Sequence, residues 1–361
     1  MKRIDIPYYE ADRPRSEDPE TDIRYKSRAF LKTRVVVHKV LIEIYVSRML
    51  STLVRTNACP GFPMEYGNCA QITKLPLAIE MFMEIGYDSL VAWALKRQSK
   101  ENWMSVTFQV FAALMWMGRY YDIVHNDLYF RNIVYNAISP RRTVYRYVID
   151  TPKMGRFVYD VKTNGLVAKI LDYGVVSSDA LFDKIGTVKH QDITFKDTQY
   201  ADLPLSANLM IQISGSNQGQ HILYYPAINP YARDIGVYLS LLITLPTVPA
   251  TVRYWACLSL QFLYEKLFRS RAAVAAEEQT EEAFLNVEDL VQFVVEIFDP
   301  FFLASVGMDP EIFGTTTQSD QPKQLFVLPV LSENQPTEIS ATVQGPQDSI
   351  SCDTFIPFIS L

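Results

Sequence analysis

Apolar residues recur along this chain at helical spacing in a few long stretches and alternate with polar ones in several shorter runs. From Lys32 to Arg55, Val36, Val40, Ile44, Met49 and Leu53 fall mostly three to five positions apart, and Thr56-Asn57 with Pro60-Gly61 close the segment, which predicts a helix. Residues 62–84 mix short apolar runs with turn residues, as in PMEYGNC and PLAIEMFME, and predict two strands joined by a connector. Asp88 is placed to cap a short helix reaching Ala94. Trp103, Val106, Val110, Leu114 and Met117 then share one face of a longer helix over 101–121. Between Ile133 and Leu171 the runs TVYRYVID, RFVYDV and LVAKILDY are parted by Thr-Pro-Lys and Asn164-Gly165, a pattern that predicts a small antiparallel sheet. After Gly174 the chain is polar and irregular for about fifty residues, and helical character returns at Ala232 and continues, with breaks, to about Phe302. Within that region Ile235–Ala250 is very apolar but too short to span a bilayer and carries Pro246 and Pro249, so it reads as a buried core helix.

Both ends differ from the middle. Residues 1–22 are polar, charged and proline-bearing, which predicts a flexible leader, with no apolar run of the kind a signal peptide needs. From Gly314 onward Thr, Ser, Gln and Pro dominate, and 314–361 reads as a disordered tail. Two apolar islands interrupt it, FVLPVL (Phe326 to Leu331) and the terminal TFIPFISL. They either pack back on the domain or offer a docking peptide to a partner. No internal repeat is present.

Composition narrows the function classes. With 361 residues, 48% hydrophobic and 12% aromatic, the chain can bury a large core in one domain or in two lobes sharing a cleft. A net charge of -6 with the two signs well mixed gives no basic patch, which argues against nucleic acid as the main partner. The four cysteines are scattered and form no C-x-x-C pair, so neither a zinc site nor a disulfide framework is signalled, and an intracellular protein with no membrane association is expected. No G-x-S-x-G or H-E-x-x-H occurs, leaving hydrolase chemistry without a motif. His38, His190 and His221 have no ligand spacing and read as structural or surface residues.

The string that carries chemistry is His125-Asn126-Asp127-Leu128-Tyr129-Phe130-Arg131-Asn132, followed downstream by Leu171-Asp172-Tyr173-Gly174. Moving a phosphoryl group requires charge to be cancelled and the acceptor hydroxyl to be aligned. An Asp can orient and deprotonate the hydroxyl, while an Asn five residues on and a second Asp supply oxygen ligands to magnesium.

These residues resemble the protein-kinase superfamily, whose catalytic loop reads H-R-D-L-x-x-x-N and whose metal loop reads D-F-G. The resemblance covers about residues 30 to 300. It implies an α+β, two-lobed protein-kinase-like fold: a reduced N-lobe over 23–84 and a mainly helical C-lobe over 85–313 that carries a β insert at 133–171. It implies that Asp127 is the catalytic base, that Asn132 and Asp172 hold Mg²⁺, and that His125 packs the loop. Glu43 matches the helix C glutamate that pairs with the ATP-binding lysine, and Asp234, in Arg233-Asp234-Ile235-Gly236, matches the Asp that braces the catalytic loop. Ile79 to Leu90 looks like the interlobe hinge, with the backbone around Glu80 and Phe82 expected against adenine. ACPGFPMEYG, the HNDL variant and the long β insert look like the serine/threonine kinases of large DNA viruses of the iridovirus type, which implies host cytoplasm and a protein substrate.

Several positions depart from the family pattern. No glycine precedes Gly61, so the glycine-rich loop over the ATP phosphates is missing or replaced. Ala29-Phe30-Leu31-Lys32 resembles the family's V-A-I-K, which implies Lys32, eleven residues before Glu43, as the ATP-binding lysine, or Lys26 at a more usual separation; the alternative is that both are solvated surface lysines. Asn126 stands where many kinases carry the Arg that receives an activation-loop phosphate, so activity is expected not to depend on phosphorylation of 175–226. Tyr129 replaces a lysine that touches the γ-phosphate, and Arg131 can restore that charge. Arg131 also resembles tyrosine kinases, so Ser/Thr and Tyr acceptors both stay open. The A-P-E triplet is absent. The readings that follow are an ATP-dependent Ser/Thr protein kinase, a pseudokinase scaffold, or a choline- or aminoglycoside-kinase-like enzyme, the last disfavoured by Gly174.

Overall fold

Helix α3, Lys100–Tyr121, is apolar on nearly every side, and the other elements enclose it. Trp103, Phe108, Phe111 and Trp116 are fully buried, and so are Ala112, Ala113 and Met115 on faces outside the predicted stripe. Ser99 caps its start by accepting the Asn102 N–H, and Asp122 ends it in a left-handed conformation with φ 55°. The computed structural model describes residues 2–6, 38–71, 77–138, 143–190, 230–264, 286–313 and 322–330. Across these the chain is an α+β fold with small sheets.

The first sheet is antiparallel with order β1-β3-β2, from β1 (Lys2–Ile6), β2 (Glu65–Gln71) and β3 (Leu77–Met83). β1 corrects part of the expected leader: KRIDI alternates in character and takes the edge of β3, pairing Arg3 with Glu80. Helix α1, described over 38–55, ends at the predicted stop, where Asn57 is left-handed and Leu53 O accepts the N–H groups of Ala58 and Cys59. Its residues Val46, Leu50 and Leu53 join the core. The next loop crosses α3 so closely that a Cβ on Gly61 would lie 2.5 Å from Ala113 Cβ. Gly61 O then accepts the Ile170 N–H, holding the end of a strand that leads to Asp172.

The second sheet has order β4-β5-β8, from β4 (Asp88–Ser89), β5 (Ile133–Ala137) and β8 (Leu166–Ile170). The short helix α2, Leu90–Ala94, is capped by Ser89, not Asp88: the Ser hydroxyl accepts the Ala92 N–H, whereas the Asp88 carboxylate accepts the Ser89 N–H. The expected single sheet over 133–171 is two. Strands β6 (Val144–Thr151) and β7 (Gly155–Lys162) form a hairpin set apart from β5 and β8. A further strand, β9 (Pro322–Leu328), pairs with β6 in parallel.

β9 corrects the expectation of disorder from Gly314: Phe326 is 1% exposed, packed on the rings of Tyr145 and Tyr147, so the first apolar island folds back on the domain through Leu328. The terminal TFIPFISL lies outside the described residues. Phe108 of α3 meets the rings of Tyr147, Tyr159, Phe298 and Phe313, tying this sheet to the helical part.

Helix α4 (Asp179–Ile185) interrupts the stretch expected to be irregular, with Ser178 as its cap. The remaining helices are α5 (Pro230–Thr244), α6 (Ala250–Tyr264), α7 (Val287–Ile297) and α8 (Pro300–Ser305). The expected helix over 235–250 is divided, since α5 stops at Thr244 and α6 begins at Ala250. Pro246 and Pro249 lie in the break, where a missing N–H and the fixed ring end one helix and start the next. Among the described residues no helix is long and apolar enough to cross a membrane.

Candidate active site

Strand pairing brings the two motif loops side by side. Ile133, just after Asn132, is paired with Ile170, two residues before Asp172, so both loops leave the same end of β5 and β8. The Leu171 N–H donates to Asn132 O at 2.8 Å and closes the junction. His125 adds a second tie, with its Nε2 2.8 Å from Leu171 O and its Nδ1 accepting the Asp127 N–H at 3.2 Å. A carbonyl can only accept, so Nε2 carries the proton and the ring is the neutral tautomer. The His125 ring also meets Tyr173 edge to face at 5.7 Å.

Asp234 of α5 holds the first loop from below. Its two carboxylate oxygens accept the backbone N–H groups of His125 and Asn126 at 2.8 and 2.9 Å, all three residues being buried. Asn126 (φ 63°) and Asp172 (φ 69°) are both left-handed, a conformation that Asn and Asp adopt more readily than other non-glycine residues and that surrounding bonds hold in place. The carboxylate of Asp234 provides that constraint at Asn126.

Asp127 is 2% exposed. Its Oδ2 accepts Asn132 Nδ2 at 2.9 Å, and the same nitrogen reaches Asp127 O at 2.8 Å. The amide nitrogen is thus committed to Asp127, and the amide oxygen is the atom by which Asn132 could hold a cation. Arg131 stands 3.5 Å from Asp127 Oδ1 and 4.7 Å over the Tyr129 ring. Burial pushes the Asp127 carboxyl above its ordinary range, opposed by the charge of Arg131 and the hydrogen bond from Asn132 and reinforced by the negative charge of Asp172. Glu43 of α1 is 6% exposed and faces the Asp172 turn: a Cβ on Gly174 would lie 3.9 Å from Asp172 Oδ1 and 4.0 Å from Glu43 Oε2.

Glu80 and Phe82, the residues expected against adenine, lie within a strand. Glu80 sits in the middle of β3 between Arg3 and Cys69, and Phe82 lies opposite Gly67, so their backbone belongs to the ladder. The connector that leaves the sheet is 84–87. Lys32 and Lys26 lie outside the described residues.

Two features were missed from sequence. Buried Lys169 of β8 donates to Glu84 Oε2 and Phe62 O, both at 2.9 Å, while Glu84 also accepts the Met64 N–H and the Asn136 amide. This group pins the 84–87 connector to the strand that leads to Asp172. Its one sequence signal was a lysine inside the apolar run LVAKIL. The second is a polar chain from buried Asn126, Ser177 and His190 to the partly exposed Asp122, with Ser177 Oγ 2.9 Å from His190 Nδ1 and His190 Nε2 3.1 Å from Asp122 Oδ1. A Ser–His–Asp order suggests nucleophilic catalysis, but Ser177 is fully buried and its oxygen already receives the Asn126 amide, so no acyl group can reach it.

Among the described residues no group of three or more His, Cys, Asp or Glu is arranged to hold a metal. The set Asp172 carboxylate and Asn132 amide is of a different kind, all oxygen and sparse, as suits a hard cation that retains water and shares phosphate oxygens. No protein-family model matches the chain, and no curated protein matches it.

Proposed function

We propose that the chain is a two-lobed, protein-kinase-like phosphotransferase whose reaction is centred on Asp127. In its particular form it is an ATP- and Mg²⁺-dependent protein kinase acting on Ser/Thr hydroxyls, similar to those of large DNA viruses and working on a protein substrate in the host cytoplasm. The observation that carries this reading is the joint placement of Asp127, Asn132 and Asp172 at one end of the β5–β8 pair, with Asp234 bracing the loop from α5.

In this reading Asp127 receives or orients the proton of the acceptor hydroxyl, and the Asn132 amide keeps its carboxylate fixed while that occurs. Magnesium, when bound through Asn132 and Asp172, supplies the positive charge that neutralises the transferring phosphoryl group. Arg131, held beside Asp127 and over Tyr129, contributes a second cation at the same place. Exchanging Asp172 for asparagine is expected to raise the Mg²⁺ concentration needed for half-maximal transfer and to lower turnover together, measured by titrating Mg²⁺ at saturating ATP. An unchanged Mg²⁺ requirement removes Asp172 from the metal site.

The absence of any glycine before Gly61 favours a second reading, a pseudokinase that keeps the fold as a scaffold. Labelled ATP, Mg²⁺ and a generic protein acceptor distinguish the two. Transfer supports the kinase, and nucleotide binding without transfer supports the scaffold. Transfer only to free acceptors such as choline points to the small-molecule relatives instead.

Because Asn126 offers no cation to an activation-loop phosphate, phosphatase treatment is expected to leave transfer within about twofold of its starting rate. Mass spectrometry before and after treatment checks that phosphate was removed. A loss above tenfold on dephosphorylation overturns the expectation.

A further inference from the structure

Resting on that phosphotransferase reading, we infer that Ser177 and His190 are positioning residues: they hold Asn126, and through it the Asp127 peptide, in the working conformation with no covalent phosphate. Asn126 is the residue directly before Asp127, left-handed and fully buried, so its side-chain partners determine where the next carboxylate points. Its oxygen accepts Arg233 Nη1 at 2.7 Å. Its nitrogen donates to Ser177 Oγ at 2.9 Å and lies 3.2 and 3.3 Å from the carbonyls of Val175 and Val124.

Proton counting gives this chain one direction. Ser177 Oγ accepts from Asn126 and keeps its own proton to give, which His190 Nδ1 takes at 2.9 Å. The remaining imidazole proton is then on Nε2, facing Asp122 Oδ1 at 3.1 Å. Asp122 also receives the Tyr231 hydroxyl and the backbone N–H groups of Asp179 and Ala180, and the Asp179 carboxylate accepts the backbone N–H of His190. The Tyr231 ring lies edge-on to the imidazole at 5.5 Å. Burial pushes the Asp122 carboxyl up, but the hydrogen bonds it accepts from His190, Tyr231 and the Ala180 N–H outweigh it and leave it below the usual carboxylate value.

The chain therefore runs from the end of α3 through both ends of the 177–190 stretch to the catalytic loop and α5. Backbone bridges join Ser177 to Val124 and Val188, but only its hydroxyl reaches Asn126. This fastens the segment after Asp-Tyr-Gly to the loop before Asp127 by neutral hydrogen bonds, at the position where an arginine and a phosphate would otherwise meet.

The two nitrogens of His190 can be separated by substitution in the full-length chain. Asparagine at 190 places a polar atom near Nδ1 and can still accept from Ser177, whereas glutamine extends to the Nε2 position and keeps only Asp122. Ser177→Ala and His190→Gln are expected to lower kcat by about 10- to 100-fold, with KM for ATP within about threefold, because misplacement near the chemistry acts on the transferring step. His190→Asn should stay within about threefold of wild type in both. Equal losses in His190→Asn and His190→Gln, or a loss confined to His190→Asn, overturn the proposal, since folding or the Asp122 bond would then be what matters. Amide hydrogen exchange at 124–128 gives a readout independent of turnover: it should quicken in Ser177→Ala and His190→Gln and stay unchanged in His190→Asn. That exchange pattern in a chain that transfers no phosphate supports the latch and overturns the kinase reading, whereas unaltered exchange in an active enzyme overturns the latch.

Discussion

Replacing Asp127 with asparagine should reduce phosphoryl transfer by about 10²- to 10⁴-fold, the range a positioned acid–base group contributes, while nucleotide affinity changes little. The substitution is nearly isosteric, and an amide oxygen at Oδ2 can still accept Asn132 Nδ2, so the loop keeps its shape. The change removes the basicity of the carboxylate and its charge beside Arg131. A titration with a fluorescent ATP analogue, run with the transfer assay, separates the two effects. Turnover within tenfold of wild type would remove Asp127 from the transferring step, and equal loss of binding and transfer would mean that the loop had collapsed.

The second large effect concerns stability. Arg119, near the end of α3, has a side chain only 2% exposed, and it spends all three guanidinium nitrogens on protein partners. Nε and Nη2 fork onto Glu288 of α7 at 2.8 and 2.5 Å. Nη1 reaches the carbonyls of Asp150, Leu328 and Pro329 at 2.8, 3.2 and 3.1 Å. One residue therefore joins the central helix, the β6–β7 hairpin, β9 and α7. Truncation to alanine strands a half-buried carboxylate and three carbonyls, which is expected to cost about 3–5 kcal/mol in urea unfolding. Lysine should recover only part of that, because a single ammonium cannot fork. A loss under about 1 kcal/mol would mean that water replaces these bonds at little cost. Limited proteolysis should also cut the alanine variant between 322 and 330 before the wild type.

What could be read from the sequence was what is local in it. The spacing of Trp103, Val106, Val110, Leu114 and Met117 found α3, and a turn-bounded β pattern found the strands flanking the two motif loops. The order His125, Asp127, Asn132, Asp172 put those residues in neighbouring loops because β5 and β8 pair with their ends in register. Asp234 was singled out through the family resemblance of Arg233-Asp234-Ile235-Gly236, and the structure has its carboxylate on the backbone of His125 and Asn126.

Pairings in which each partner carries an ordinary local pattern were not legible. Arg119 and Glu288 are charged residues on two helices far apart in the chain, and nothing near either specifies the other. Ser177 and His190 lie in a stretch whose polarity reads as a loop, so a chain of buried hydrogen bonds through them has no one-dimensional signature. Composition misled at the end of the chain: Thr, Ser and Gln around 314–340 outweigh the short run QLFVL, which becomes a strand only against β6.

The parallel partnership of β6 with β9 joins residues about 180 positions apart, as Tyr145 with Gln324. At roughly 5–20 residues per second of ribosomal synthesis, the β6 edge stands open for on the order of ten seconds or more after it has emerged. During that time Tyr145 and Tyr147 lack the Phe326 ring that covers them, and an unpaired strand edge invites pairing with another nascent chain. Yield on expression should therefore depend on how quickly translation passes residue 328, and slow codons placed between β7 and β9 would favour aggregation without changing a single amino acid.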